Sequence, residues 1–298
     1  MNTYFHKDTC PHCGAFYDSV EKTCPECGQQ NEAKRDIHAF DHQLNVGIPF
    51  QIIFFLLGLV GQQLLGILLS LLVQNVFLSF HPTATREELV AFVESGGYSM
   101  GINTAIYVIL AGLFFLFLGL RKQLLPLFRS FKGWKPIVAG VVGFAAIYVA
   151  GLLYSIITSI ILNLAGIPNP GVNANESALR AMTAEFPILC IVVFGIIGPF
   201  CEEVCYRVGL FSFLSRLGKV LAYLLAAVIF GLIHFDWDCF GAADGGVSLL
   251  REFINLPTYI GAGAALCFIY DRFGFGASYT AHSLNNLFSI ILTITIKE

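Results

Sequence analysis

Polar residues fill most of the first 43 positions of the chain, and beyond them long apolar runs alternate with short polar breaks. Seven runs stand out, at about 46–80, 98–120, 136–165, 186–203, 219–235, 256–270 and 274–296. They approach or exceed the roughly 20 apolar residues that a helix needs to cross a bilayer. Barrel-type alternation is absent. Backbone groups in lipid must be satisfied within the segment, so helices are the remaining solution. The pattern predicts an all-α fold, a polytopic transmembrane bundle of about seven spans behind a small polar unit.

Composition agrees, with 56% hydrophobic residues and 12% charged, against roughly 25% charged in a soluble domain. The first apolar run is too long for a signal peptide, and polar residues precede it, so no cleaved leader is expected. A net charge of −3, without basic stretches interleaved with aromatics, gives no case for nucleic acid. Placing the N-terminus in the cytoplasm puts thirteen Lys and Arg inside and four outside, with five of the thirteen between Arg121 and Lys135. No internal repeat of the transporter kind is present.

Four regions are expected: a metal-binding unit at 1–30, a linker at 31–45, N-terminal transmembrane helices at 46–180, and a catalytic transmembrane core at 181–298. In the first, Cys10-Pro-His-Cys13-Gly and Cys24-Pro-Glu-Cys27-Gly are two C-x-x-C knuckles ten residues apart. Each glycine lets the chain turn behind a thiolate pair, so four sulfurs reach one tetrahedral ion. The reading is a structural zinc ribbon that folds with its metal. Cys190, Cys201, Cys205 and Cys267 sit in apolar runs and read as small packing residues.

Ionisable residues inside a membrane are costly and default to a functional role. Three places break the apolar pattern: Glu202, Glu203 and Arg207 after Pro199; His234 four residues after Phe230; and His282 four residues before Asn286. Glu203 and Arg207 are i, i+4 neighbours that can pair, leaving Glu202 on an adjacent face. Glu202 and His234 each lie sixteen residues from Gly218, about 24 Å along antiparallel helices and at matching depth. The chemistry that suits the set is hydrolysis. Glu202 and His234 would activate water, His282 and Asn286 would stabilise the oxyanion, and Glu203, Arg207 and Phe230 would support them. A metal version, with His234, His282 and a Glu around a catalytic zinc, fits the same residues.

Glu-Glu-x-x-x-Arg at 202–207, Phe-x-x-x-His at 230–234 and His-x-x-x-Asn at 282–286, in that order on separate apolar helices, resemble the signature of the CAAX-protease and bacteriocin-processing (CPBP, or Abi) intramembrane proteases. The resemblance spans about 186–296. It implies an endopeptidase acting in or beside the bilayer, related to enzymes that trim prenylated CAAX tails, with Glu202, His234, His282 and Asn286 as the catalytic set. Expected partners are membrane lipids and a peptide or protein substrate that is itself membrane-anchored in one version, with a cytoplasmic partner for the ribbon. The expected location is the bacterial plasma membrane, N-terminus inside. The competing function is a non-catalytic immunity or scaffold protein binding peptides in the same pocket; complete motifs argue against it.

Overall fold

The computed structural model describes residues 7–9, 13, 16–18, 23, 24, 26–28, 44 and 46–296. The apolar runs form seven helices, separated by shorter ones. In chain order these are α1 (Ile48–Phe80), α2 (Arg86–Val93), α3 (Gly96–Leu120), α4 (Leu124–Arg129) and α5 (Trp134–Leu164). Then follow α6 (Ala174–Glu185), α7 (Pro187–Leu214), α8 (Lys219–Leu232), α9 (Val247–Phe273) and α10 (Phe275–Thr295). Five of them, α1, α3, α5, α7 and α9, are long and apolar enough to cross a membrane. The helix α8 is apolar but has 14 residues, and α10 has 21 with polar side chains along it.

The fold is an all-α helical bundle, as its hydrophobic pattern predicts. Leu68 on α1 and Ile157 on α5 are among many aliphatic side chains facing outward, which suits a lipid solvent. At the centre is α7, with more than half of its apolar stretch buried, against about a tenth in α1 and α5. Gly58 brings α1 against it: a Cβ there would lie 2.3 Å from Cys205 Sγ. The α7–α8 turn requires Gly218, whose φ of 135° few side-chain-bearing residues adopt.

Two boundaries differ from expectation. The fourth span continues past 203 to Leu214, because Glu203 and Arg207 are buried within the helix instead of ending it. The sixth begins at Val247, nine residues before 256, with Glu252 buried in its second turn. The 81–97 break holds α2, opened by a reciprocal cap between Thr85 and Glu88.

Within α7, wide π turns at Val193–Ile197 and Val204–Phe211 bracket Pro199. Proline has no N–H to offer the carbonyl four residues back, at Gly195. Ser283 Oγ of α10 donates to that carbonyl at 2.6 Å, Asn286 Nδ2 to Phe194 O at 3.0 Å and Tyr279 OH to Ile196 O at 3.3 Å.

At the N-terminus, strands β1 (Lys7–Thr9) and β2 (Phe16–Asp18) pair antiparallel with Lys7 opposite Asp18. Cys13, Cys24 and Cys27 present sulfurs within 4.8 Å of one another, a group that could hold a metal. Cys10 lies outside the described residues, as does the 31–45 linker apart from Leu44.

Candidate active site

The buried polar residues of α7 and α10 meet in one network. Glu203 and Arg207, four apart on α7, are both fully buried, with Arg207 Nε 3.5 Å from Glu203 Oε2. The Arg207 guanidinium lies over the Phe230 ring, 4.4 Å from its centroid, a contact that tolerates a cation away from water. Glu203 reaches further than the i, i+4 spacing indicates. Its Oε1 is 2.8 Å from His282 Nδ1, and its Oε2 accepts from Ser278 Oγ, one turn earlier on α10. A carboxylate only accepts, so Nδ1 carries the proton in this pair.

His282 thereby turns Nε2 towards Glu202, 3.6 Å from Oε2. Tyr107 OH of α3 donates to Glu202 Oε1 at 3.4 Å, while Oε2 is buried with no hydrogen-bond partner. The 3.6 Å from His282 Nε2 to Glu202 Oε2 is too long for a hydrogen bond and suits a bridging water.

His234 sits just past the end of α8, in the turn after Leu232, and so beyond the helix on which its depth was reckoned. Its Nδ1 is 2.8 Å from Phe230 O, and its ring stacks on Tyr259 of α9, centroids 4.5 Å apart. Phe230 touches both imidazoles, at 4.9 Å from His234 and 5.8 Å from His282. Behind the turn, Asn173 Nδ2 donates to His234 O at 3.0 Å, and Asn173 Oδ1 accepts from Tyr259 OH at 3.1 Å and caps α6 at Glu176 N. Glu252 ties the same corner, accepting from Ala174 N at 2.9 Å and Asp236 N at 3.2 Å.

Glu202, His234, His282 and Asn286 all line one cavity of about 1180 Å³. That volume exceeds the roughly 300–1,000 Å³ of small-ligand pockets and leaves room for several residues of an extended peptide. Glu203 and Arg207 lie behind its wall. Asn286 is less free than its spacing implied, since one amide hydrogen is engaged by Phe194 O; the other remains to point into the cavity. Among the described residues, the group that gathers three ligand atoms within 4.8 Å is Cys13, Cys24 and Cys27; Glu202, His234 and His282 do not. As arranged, that trio does not fit a three-ligand zinc, whose ligands sit about 2.0–2.2 Å from the ion.

Sequence reasoning missed Tyr107, Asn173, Tyr259, Glu252 and Ser278. Ser278 was findable, four residues before His282 and so on the same helix face. Tyr107 and Tyr259 look like ordinary aromatics of apolar runs, and only packing brings them to Glu202 and His234.

Residues 184–288 match the family described as Type II CAAX prenyl endopeptidase Rce1-like. Two curated relatives are similar to the chain. UPF0177 protein YvdC of Lactococcus lactis is 24% identical over 55% of this chain and 56% of its own length. An uncharacterized protein of Mycoplasma capricolum is 28% identical over 56% of this chain and 47% of its own. The chain thus spans about half the length of the curated relatives it matches. No solved structure matches it. With its apolar helices, this match makes the chain an integral membrane protein. Residues 184–288, which hold Glu202, Glu203, Arg207, Phe230, His234, His282 and Asn286, are the part of the chain that is similar to the Rce1-like family.

Proposed function

We propose that the protein is an intramembrane endopeptidase that hydrolyses a peptide bond in or beside the bilayer. The observation that carries this reading is the Glu202 carboxylate, with Oε2 unpartnered at the cavity wall and His282 Nε2 3.6 Å away. Water held there gives a proton to Glu202 as its oxygen attacks the scissile carbonyl carbon. The negative charge gathers on the carbonyl oxygen, where the second amide hydrogen of Asn286 donates, together with Nε2–H of His282 in its doubly protonated form, whose Nδ1–H stays on Glu203. Collapse breaks the C–N bond, and the proton passes from Glu202 to the leaving amine. His234, with Nδ1 turned to its own helix, offers Nε2 to the water or the amine. Glu203 holds His282 in place.

In the ribbon, Cys13, Cys24 and Cys27, with Cys10 as the fourth, would hold a structural zinc. Zn–S bonds of about 2.3 Å imply sulfurs about 3.8 Å apart, and Cys13 Sγ and Cys24 Sγ are 3.6 Å apart. The ribbon would serve a cytoplasmic partner.

Purified protein in detergent, incubated with a peptide library, should cleave some members, and Glu202→Gln should abolish the cleavage. Cleavage that survives Glu202→Gln removes Glu202 as the base.

A further inference from the structure

The bundle has two chemically distinct ends. At one, Arg121 Nε donates to Val46 O at 2.9 Å, Arg216 Nη2 to Gln51 Oε1 at 3.0 Å and Lys219 Nζ to Asp271 Oδ2 at 2.8 Å. These bonds tie together the start of α1, the end of α3, the α7–α8 turn and the end of α9. This end carries eight cationic residues, Arg121, Lys122, Arg129, Lys132, Lys135, Arg216, Lys219 and Arg272, and one acid, Asp271. At the other end Glu252 joins α6 to the turn after His234, Asn255 Nδ2 donates to Gly171 O at 3.1 Å, and Ser289 Oγ to Glu176 Oε1 at 3.2 Å. Here three cations, Arg86, Arg180 and Arg251, stand among nine acids, Glu87, Glu88, Glu94, Glu176, Glu185, Asp236, Asp238, Asp244 and Glu252. Lys and Arg within short loops mark the cytoplasmic side, so the basic end is inside.

The cavity belongs to the acidic end. Asn175, Glu176, Arg180 and Trp237, from the connections at that end, line it together with Glu202 and His282, whereas no residue of the 121–135 loop or the α7–α8 turn does. The 14 residues of α8 span about 21 Å from the basic end, so His234 stops roughly 9 Å short of the far side of a 30 Å hydrocarbon core.

We infer that the active-site cavity opens to the extracytoplasmic side, so that its substrate is a polypeptide segment presented there, in or above the outer leaflet. This rests on the reading of the cavity as a peptidase site. The thiolate knuckles precede Val46, which is at the basic end, and no apolar run before it could carry the chain back across. The ribbon therefore lies across the membrane from the substrate, in the compartment that keeps thiols reduced.

The test is cysteine accessibility in the full chain, in a Cys239→Ser background, with a membrane-impermeant maleimide for loop positions and a small charged methanethiosulfonate for the cavity. Asp238→Cys and the cavity-lining Asn285→Cys should react in intact cells, and Lys132→Cys only after permeabilisation. Asp238→Cys protected in intact cells overturns the orientation. Asn285→Cys reacting only in inverted vesicles overturns the access route. Labelling needs no turnover, so a protein labelled as expected but inert toward every peptide would count against the peptidase reading alone.

Discussion

Glu203 Oε1 and His282 Nδ1, 79 positions apart in the chain, meet at 2.8 Å in the α7–α10 contact. That bond makes Glu203 the residue that orients an imidazole, and Arg207 the counter-charge that lets it stay ionised away from water. Glu203→Gln keeps the shape and removes the charge. Loss of one partner from a buried pair costs about 3–5 kcal/mol, so the thermal midpoint should fall. Loss of orientation should lower kcat on the order of 10²–10⁴-fold with KM little changed. A Glu203→Gln enzyme with wild-type kcat would show that His282 needs no such partner.

Asn173 does two separable jobs, capping α6 through Oδ1 and holding the His234 carbonyl through Nδ2. Asn173→Ala should cost about 1 kcal/mol from the cap and also reduce cleavage. Asn173→Asp keeps the acceptor and removes the donor, so it should recover the stability and not the activity. Recovery of both by Asp would mean that the carbonyl anchor is idle.

Gly58 faces Cys205 across the α1–α7 contact, with Sγ 2.3 Å and Cβ 2.5 Å from where a Cβ would stand. Gly58→Ala should destabilise by about 1–3 kcal/mol through overpacking. Adding Cys205→Gly should return much of that loss, a coupling readable in a double-mutant cycle. Additive losses would place the strain elsewhere.

Metal analysis of the whole protein should find about one zinc per chain, lost when Cys24 and Cys27 are both changed to Ser. The helical circular dichroism of the bundle should survive that loss. Zinc that instead departs with His234→Ala would reinstate a metal at the catalytic site.

Asp244 precedes α9, and the Ser248 hydroxyl, with the amides of Ser248 and Gly246, holds its carboxyl below the usual range. A depressed folded-state value means the stabilisation is full above the unfolded value, near pH 3.9, and disappears as pH falls through the lower folded one. The exchange protection factor at Ser248 N should therefore fall below about pH 4 in the wild type. In Asp244→Asn that factor should be low throughout and insensitive to the titration.

The architecture was legible because lipid imposes a coarse rule, that apolar runs of sufficient length become helices. Boundaries failed where polar residues were buried within helices, at Arg207 in α7 and Glu252 in α9, since hydropathy alone places such residues in water. The grouping of Glu202, His234, His282 and Asn286 was visible as polarity in the wrong solvent. The link from Glu203 to His282 was not, because i, i+4 spacing reveals partners on one helix and says nothing across two. Tyr107 and Tyr259 act through hydroxyl and ring contacts that an apolar run does not distinguish from packing.

Pro199 has no N–H for the Gly195 carbonyl, and Ser283 donates to that carbonyl while Tyr279 and Asn286 bind the carbonyls on either side. Together the three bonds act as a vernier between α7 and α10. A slip by one residue would break all of them at once, so the spacing of Glu202 and Glu203 against His282 is inherited from backbone alignment about two turns away along α7. The proline that weakens its own helix is thereby the feature that sets the register of Glu202 and Glu203 against His282.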